Sequence, residues 1–116
     1  MVRSDQSKSY LSELVSLSKR NLVAIGYQQI TITGSVSSFT VPADAKYALC
    51  VLESTATTGA AIRYLELGGL TLPTTTTGLP RSNGDSFDVQ GAQNLTNFRA
   101  IQAQGGTHSL NVVYYK

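Results

Sequence analysis

One cysteine, Cys50, in 116 residues excludes an intrachain disulfide and any site built on several thiolates. Within Ala48-Leu49-Cys50-Val51-Leu52 it reads as a small buried apolar group. Tryptophan is absent and histidine occurs once, at position 108. No other histidine, cysteine or carboxylate lies near His108 at a zinc-ligand spacing, so no metal centre is expected. Its setting, Gly105-Gly106-Thr107-His108-Ser109, reads as an exposed turn. No apolar run approaches the roughly 20 residues needed to span a bilayer, and the first residues lack the apolar stretch of a signal peptide. The expectation is therefore a chain made in a cytoplasm, with no membrane partner.

Charge is also scarce, at 14 % of residues against about 25 % in an average chain. Residues 1–20 carry Arg3, Lys8, Lys19 and Arg20 against Asp5 and Glu13, which accounts for the whole net charge of +2. Residues 21–116 are neutral, with five cations against five carboxylates. The cations are dispersed and no basic stripe with aromatic platforms forms, so nucleic acid is not an expected partner.

Catalytic patterns are missing as well. There is no Gly-x-Ser-x-Gly elbow, no GxGxxG and no phosphate loop with its lysine. Asp85, Asp88, Glu53 and Glu66 read as solvated residues at strand ends and turns, with no spacing that recommends paired-carboxylate chemistry. The Asn94-Leu95-Thr96 tripeptide matches a glycosylation sequon that a cytoplasmic product would not use. An enzyme is not expected, and neither is a cofactor.

What the chain does have is periodicity. In residues 1–26, Tyr10, Leu11, Leu14 and Val15 share one face at helical spacing, between Ser12, Glu13 and Ser16. Five serines between Ser4 and Ser16 weaken that helix, and one so short needs a surface to pack on. This stretch reads as an N-terminal arm, helical or extended, attached to a domain at residues 27–116. From Tyr27 the period becomes two: Ile30 and Ile32 alternate with Thr31 and Thr33, and Phe39 and Val41 resume after Gly34-Ser35. Lys46 to Glu53 is apolar on both sides and reads as a central strand covered on both faces. Ala61 to Leu67 reads as another strand, and the Thr-rich stretch from Leu70 to Pro80 as a loop. Asn83-Gly84 marks a tight turn, Phe87 and Val89 a strand, and Gly91 to Asn94 a break. Leu95 to Ala103 is a further apolar segment, and Leu110, Val112 and Tyr114 alternate in the last strand. Tyr27, Tyr47, Tyr64, Tyr114 and Tyr115 fall in or beside strands, where packing against neighbours is their default role. Seven or eight short strands at roughly ten-residue intervals predict an all-β, antiparallel β-sandwich, jelly-roll or immunoglobulin-like.

Six pieces in order carry a resemblance: Phe39-Thr40-Val41-Pro42, Tyr47 to Leu52, Arg63-Tyr64, Pro73 to Leu79, Phe98-Arg99-Ala100-Ile101, and Leu110 to Tyr115. Their order and spacing resemble the small head decoration, or cement, proteins of tailed bacteriophages, over about residues 27–116. Leu65 to Leu70 departs from the Asp-Gly turn of that pattern, and the arm lies outside it. The resemblance implies a virion structural protein on the outer capsid surface, clamping neighbouring subunits of the major capsid protein. It implies a homo-oligomer, a trimer or a dimer. The expected contacts are Tyr10, Leu11, Leu14 and Val15 in the arm, against capsid or a sister subunit, and the loop from Leu67 to Pro80, with Leu67, Leu70, Leu72 and Pro73 as its named residues. The alternative reading is a carbohydrate-binding or host-adhesion β-sandwich module of a phage tail or fibre, which would display exposed rings.

Overall fold

Alternating apolar and polar side chains build most of the structure, a computed structural model that describes residues 21–116. In chain order the described elements are β1 (Ala24–Ile32), β2 (Tyr47–Ser54), β3 (Ile62–Leu65), β4 (Leu79–Arg81), β5 (Ser86–Gln90), α1 (Ala92–Asn97), β6 (Arg99–Gln102) and β7 (His108–Tyr115). Two antiparallel sheets result. One has the order β1-β7-β2-β5 and the other β4-β3-β6. Ser37 forms a single antiparallel bridge with Ala100, so the connection between β1 and β2 adds one rung beside β6. β1 starts at Ala24, and Val23 already exchanges both backbone hydrogen bonds with Lys116. The sandwich thus begins three residues before the expected boundary at Tyr27.

The period of two sets the core. Ile30 and Ile32, then Ala48, Cys50 and Leu52, then Phe87 and Val89, then Leu110, Val112 and Tyr114 point inward from the first sheet. Ile62, Tyr64 and Ala100 meet them from the second. Phe39, Leu95 and Phe98 fill the space from outside the strands. Phe98 stacks on Phe39 with ring centroids 3.9 Å apart and lies 5.4 Å from Tyr64, which stacks on Phe87 at 4.5 Å. Arg81 closes the row, its guanidinium 5.5 Å from the Tyr64 ring centre and 5.2 Å from that of Phe87. Each such ring, fully buried, stabilises the fold by roughly 1.5–3 kcal/mol, and favourable ring pairs add about 0.5–1.5 kcal/mol.

Three expectations are corrected by the structure, and one turn is placed. β2 is an inner strand, but only one of its faces is sealed: Leu49 is half-buried and Val51 exposed. The expected Asn83-Gly84 turn is present, with Gly84 at φ 87°, and joins β4 of one sheet to β5 of the other as a corner. The Asp85 carboxylate accepts from the Ser82 amide at 2.7 Å and fixes that corner. The expected break after Gly91 is the short helix α1, which exists to sink Leu95 into the core. His108 is not an exposed turn residue but the fully buried first residue of β7, in phase with Leu110, Val112 and Tyr114.

Two measurements probe this core. Phe98→Ala removes the ring shared by both halves of the stack and should cost about 3–5 kcal/mol, read from urea denaturation midpoints at constant slope. Cys50 is the alkaline probe. Burial, then the Asp88 and Glu66 carboxylates, push its thiol from 9 up to about 12. The folded chain keeps a proton that the unfolded chain releases, so this stabilisation is complete below pH 9 and is lost as pH rises from about 9 to about 12. The full span corresponds to about 4 kcal/mol. Cys50→Ala should flatten the decline of Tm across that window, and native Cys50 should resist thiol reagents at pH 8.

Candidate functional site: an interaction loop

Between β3 and β4 the chain leaves the sandwich for the stretch from Glu66 to Gly78. Its two ends are fastened by different means. At the first, the Gly68 amide donates to the Asn97 carbonyl at 2.9 Å, and Gly68 sits at φ 59°. A Cβ at Gly68 would lie 2.9 Å from the Asn97 side-chain oxygen, so the position accepts only glycine without displacement. Leu70 then donates to the Leu67 carbonyl and closes a turn. At the second end, Arg63 reaches out from β3: its Nε donates to the Thr75 carbonyl at 3.1 Å and its Nη1 to the Gly78 carbonyl at 3.0 Å. The four threonines form their own turn, in which Thr74 accepts from the Thr77 amide through both its carbonyl and its hydroxyl.

This fastening leaves a loop of leucines in solvent. Leu70 is 90 % exposed, and Leu67, Leu72 and Leu79 are each about half exposed. An exposed leucine alone is ordinary, whereas several on one pinned loop make an apolar contact surface whose ordering entropy is already spent in folding. Of the expected contacts, Leu67, Leu70 and Leu72 are presented to solvent. Pro73 is not. It is fully buried beneath the loop, next to Gly78, and therefore anchors the loop and cannot touch a partner. Tyr10, Leu11, Leu14 and Val15 lie outside the described residues. Leu79, inside the expected Leu67 to Pro80 stretch but not one of its named residues, is half exposed at the start of β4.

His108 was expected to do nothing, and its buried surroundings give it a structural task. Its Nε2 donates to the Gln104 carbonyl at 2.9 Å, which leaves Nδ1 to accept from the Ser54 hydroxyl at 2.8 Å. Ser54 Oγ in turn accepts from the Ala56 amide at 2.9 Å. The second ring nitrogen thus faces a backbone carbonyl where a catalytic triad would place a carboxylate. The arrangement ties the β2–β3 and β6–β7 connections together. Among the described residues, no group of three His, Cys, Asp or Glu side chains could hold a metal ion, and no helix is long and apolar enough to cross a membrane.

Tyrosines occupy a second exposed region, the outer face of the four-stranded sheet. Tyr27 is 64 % exposed, and its hydroxyl donates to Asn111 at 2.7 Å. Tyr47 and Tyr115 meet edge to face at 5.6 Å, and the Tyr47 hydroxyl donates to Asp88 at 3.0 Å. Burial, then that hydrogen bond and the Asp88 charge, push the Tyr47 hydroxyl up to about 12.

Arg63→Ala should release the second end of the loop. Two charge-assisted bonds to carbonyls are lost at a partly exposed site, so the expected cost is about 1–3 kcal/mol in urea denaturation. Amide hydrogen exchange should rise in residues 74–78 while β7 keeps its protection.

No protein-family model matches this chain, and neither a curated protein nor a solved structure is similar to it.

Proposed function

We propose that this chain is a phage virion structural protein, a non-enzymatic decoration or cement protein that docks on the outside of the assembled head and clamps neighbouring major capsid subunits. The observation that carries the reading is the leucine-tipped loop, held rigid at both ends and aimed into solvent. Such a surface fits a complementary apolar groove on a protein partner better than it fits a soluble metabolite.

The connectivity supports it. Counting the Ser37 rung as a rudimentary strand gives eight segments, and the sheets then read 1-8-3-6 and 2-7-4-5. Segment 1 pairs with 8, 2 with 7, 3 with 6 and 4 with 5, which is one long hairpin rolled upon itself. We read this as a jelly roll with one strand reduced to a single bridge. Viral capsid proteins and lectins both use that architecture, so the site and not the fold must decide between them.

Docking would act by mass action. A protein that binds only the assembled, expanded lattice adds its binding free energy to that state, and repetition over many sites makes shell opening cooperative. A homo-oligomer, trimer or dimer, would match local symmetry axes of the shell. The exposed Tyr27 keeps a carbohydrate-binding or adhesion module as the second reading, since a ring open to solvent can stack on a sugar face.

The test is sedimentation of the purified chain with expanded heads of its own virus. Wild-type protein should saturate at hundreds of copies per head, and Leu70→Asp should weaken binding at least tenfold, about 1.4 kcal/mol. Unchanged binding by Leu70→Asp would remove the loop from the contact. Glycan binding through Tyr27 with no affinity for heads would establish the adhesion reading instead.

A further inference from the structure

The outer face of the four-stranded sheet carries a polar strip across β1, β7 and β2. Gln29, Asn111 and Val51 stand in one row across the three strands, and Thr31, Ser109 and Glu53 in the next. Tyr27 lies opposite Val113, one row before, and its hydroxyl reaches along the neighbouring strand to donate to Asn111 Oδ1 at 2.7 Å. Asparagine is too short to meet an upright tyrosine, so the ring leans along the sheet and turns a face to solvent. Asn111 carries the order onward. Its Oδ1 also accepts from Gln29 Nε2 at 3.3 Å, and its Nδ2 donates to Glu53 Oε1 at 2.8 Å and to the Val51 carbonyl at 3.4 Å.

At the far end of the strip, Glu53 and Ser109 border an open hollow of about 400 Å³, completed by Ser54, Thr55, Asn83 and Thr107. That volume falls in the range of small-molecule sites, roughly 300–1,000 Å³, and every lining residue is polar. Two of the side chains are pinned at one atom and open at the other. Asn83 Oδ1 accepts from the Ser54 amide at 2.9 Å, which leaves its Nδ2 to donate. Glu53 Oε1 is taken by Asn111, which leaves Oε2 to accept. Neither open atom has a partner among the described residues. A fixed donor and a fixed acceptor beside three hydroxyls suit a ligand whose own groups each donate and accept, as the hydroxyls of a sugar do.

We propose that this strip and hollow bind a neutral oligosaccharide, one sugar ring stacked on Tyr27 and another hydrogen-bonded between Asn83 and Glu53. The length agrees. From Tyr27 to Thr31 is about 13 Å along β1, and Glu53 lies two strands beyond Thr31, a span that calls for more than one sugar unit. Charge selects the class of sugar: the charged side chains that the strands place on this face are Glu53 and Asp88, both acidic, so uronic, sialic or phosphorylated glycans are repelled. The proposal rests on the adhesion reading for its kind of ligand and adds the site, the residues and the sugar class. It is independent of the leucine loop, which lies between β3 and β4 of the other sheet.

The full-length protein, applied to a printed array of neutral and anionic oligosaccharides and bacterial surface polysaccharides, should bind neutral glycans. Three substitutions then test the site. Tyr27→Ala removes the ring, Asn83→Asp keeps the acceptor for the Ser54 amide but loses the open donor, and Glu53→Gln keeps Oε1 but replaces the open acceptor. Each should weaken binding by roughly tenfold or more with the thermal midpoint unchanged, while Leu70→Asp should bind as wild type does. Binding that all three variants retain would overturn this site and leave the adhesion reading standing. Absence of binding to any glycan would remove both, and binding confined to anionic glycans would overturn the neutral ligand.

Discussion

Phe98 is the side chain on which the two sheets depend. It belongs to no strand, standing between α1 and β6, yet its ring touches the Phe39 ring on one side and approaches Tyr64 and Phe87 on the other. Through Phe39 the stack reaches Tyr114 of β7, edge to face at 5.7 Å. One row of rings therefore connects the first sheet, the second sheet and the long β1–β2 connection. Small sandwiches have little interior to share out, and a few large rings fill it with fewer ordered side chains than aliphatic residues would need. α1 is subordinate to this packing. It has no side-chain cap at Gly91 and is only six residues long, so its helicity rests on Leu95 and Phe98 being held in the core.

Arg81 shows what such packing requires at its margin. Its guanidinium lies over Tyr64 and Phe87 and donates to the Tyr64 hydroxyl at 3.3 Å, while its Nε is buried without a partner. An unpaired buried donor costs about 1–3 kcal/mol, and attraction to two ring faces offsets part of that. Arg63, two strand positions from Leu65, spends its donors differently, on the carbonyls of the threonine turn. Both arginines thus do structural work, one on the core and one on the loop. This explains how a body of low charge content still uses its cations, and why they are dispersed and form no basic surface.

What was legible in the sequence follows from which forces act locally. Strands β1, β5 and β7 were readable because Ile30 and Ile32, Phe87 and Val89, and Leu110, Val112 and Tyr114 keep an unbroken period of two, although in β7 the intervening residues include Val113 and Tyr115. α1 was not, since Gly91 precedes it, two exposed amides, Gln93 and Asn94, stand in its first turn, and its stabilisation comes from the tertiary core. His108 was misread through its glycine neighbours, although it keeps phase with Leu110 and that phase was the cue. The loop was legible as a loop from its prolines and threonines, but the burial of Pro73 beside Gly78 was not, because it depends on how the loop folds back on the sheet. The openness of β2 was also beyond periodicity, because an apolar outer row looks the same whether a second layer covers it or waits beside it.

That last ambiguity bears on how the molecule is organised. A sheet whose outer row includes Tyr47, Leu49, Val51 and Val113 is a poor solvent face, and antiparallel sandwiches normally present polar residues there. Its polar half obeys the rule, with Asn111 as the hub of a hydrogen-bonded group. The departure runs along β2, where Val51 is exposed opposite Asn111 and Leu49 is half-buried between Val113 and Asp88. The leucine loop is built between β3 and β4 of the other sheet, so the two exposed apolar surfaces of the body belong to different sheets and can be covered independently.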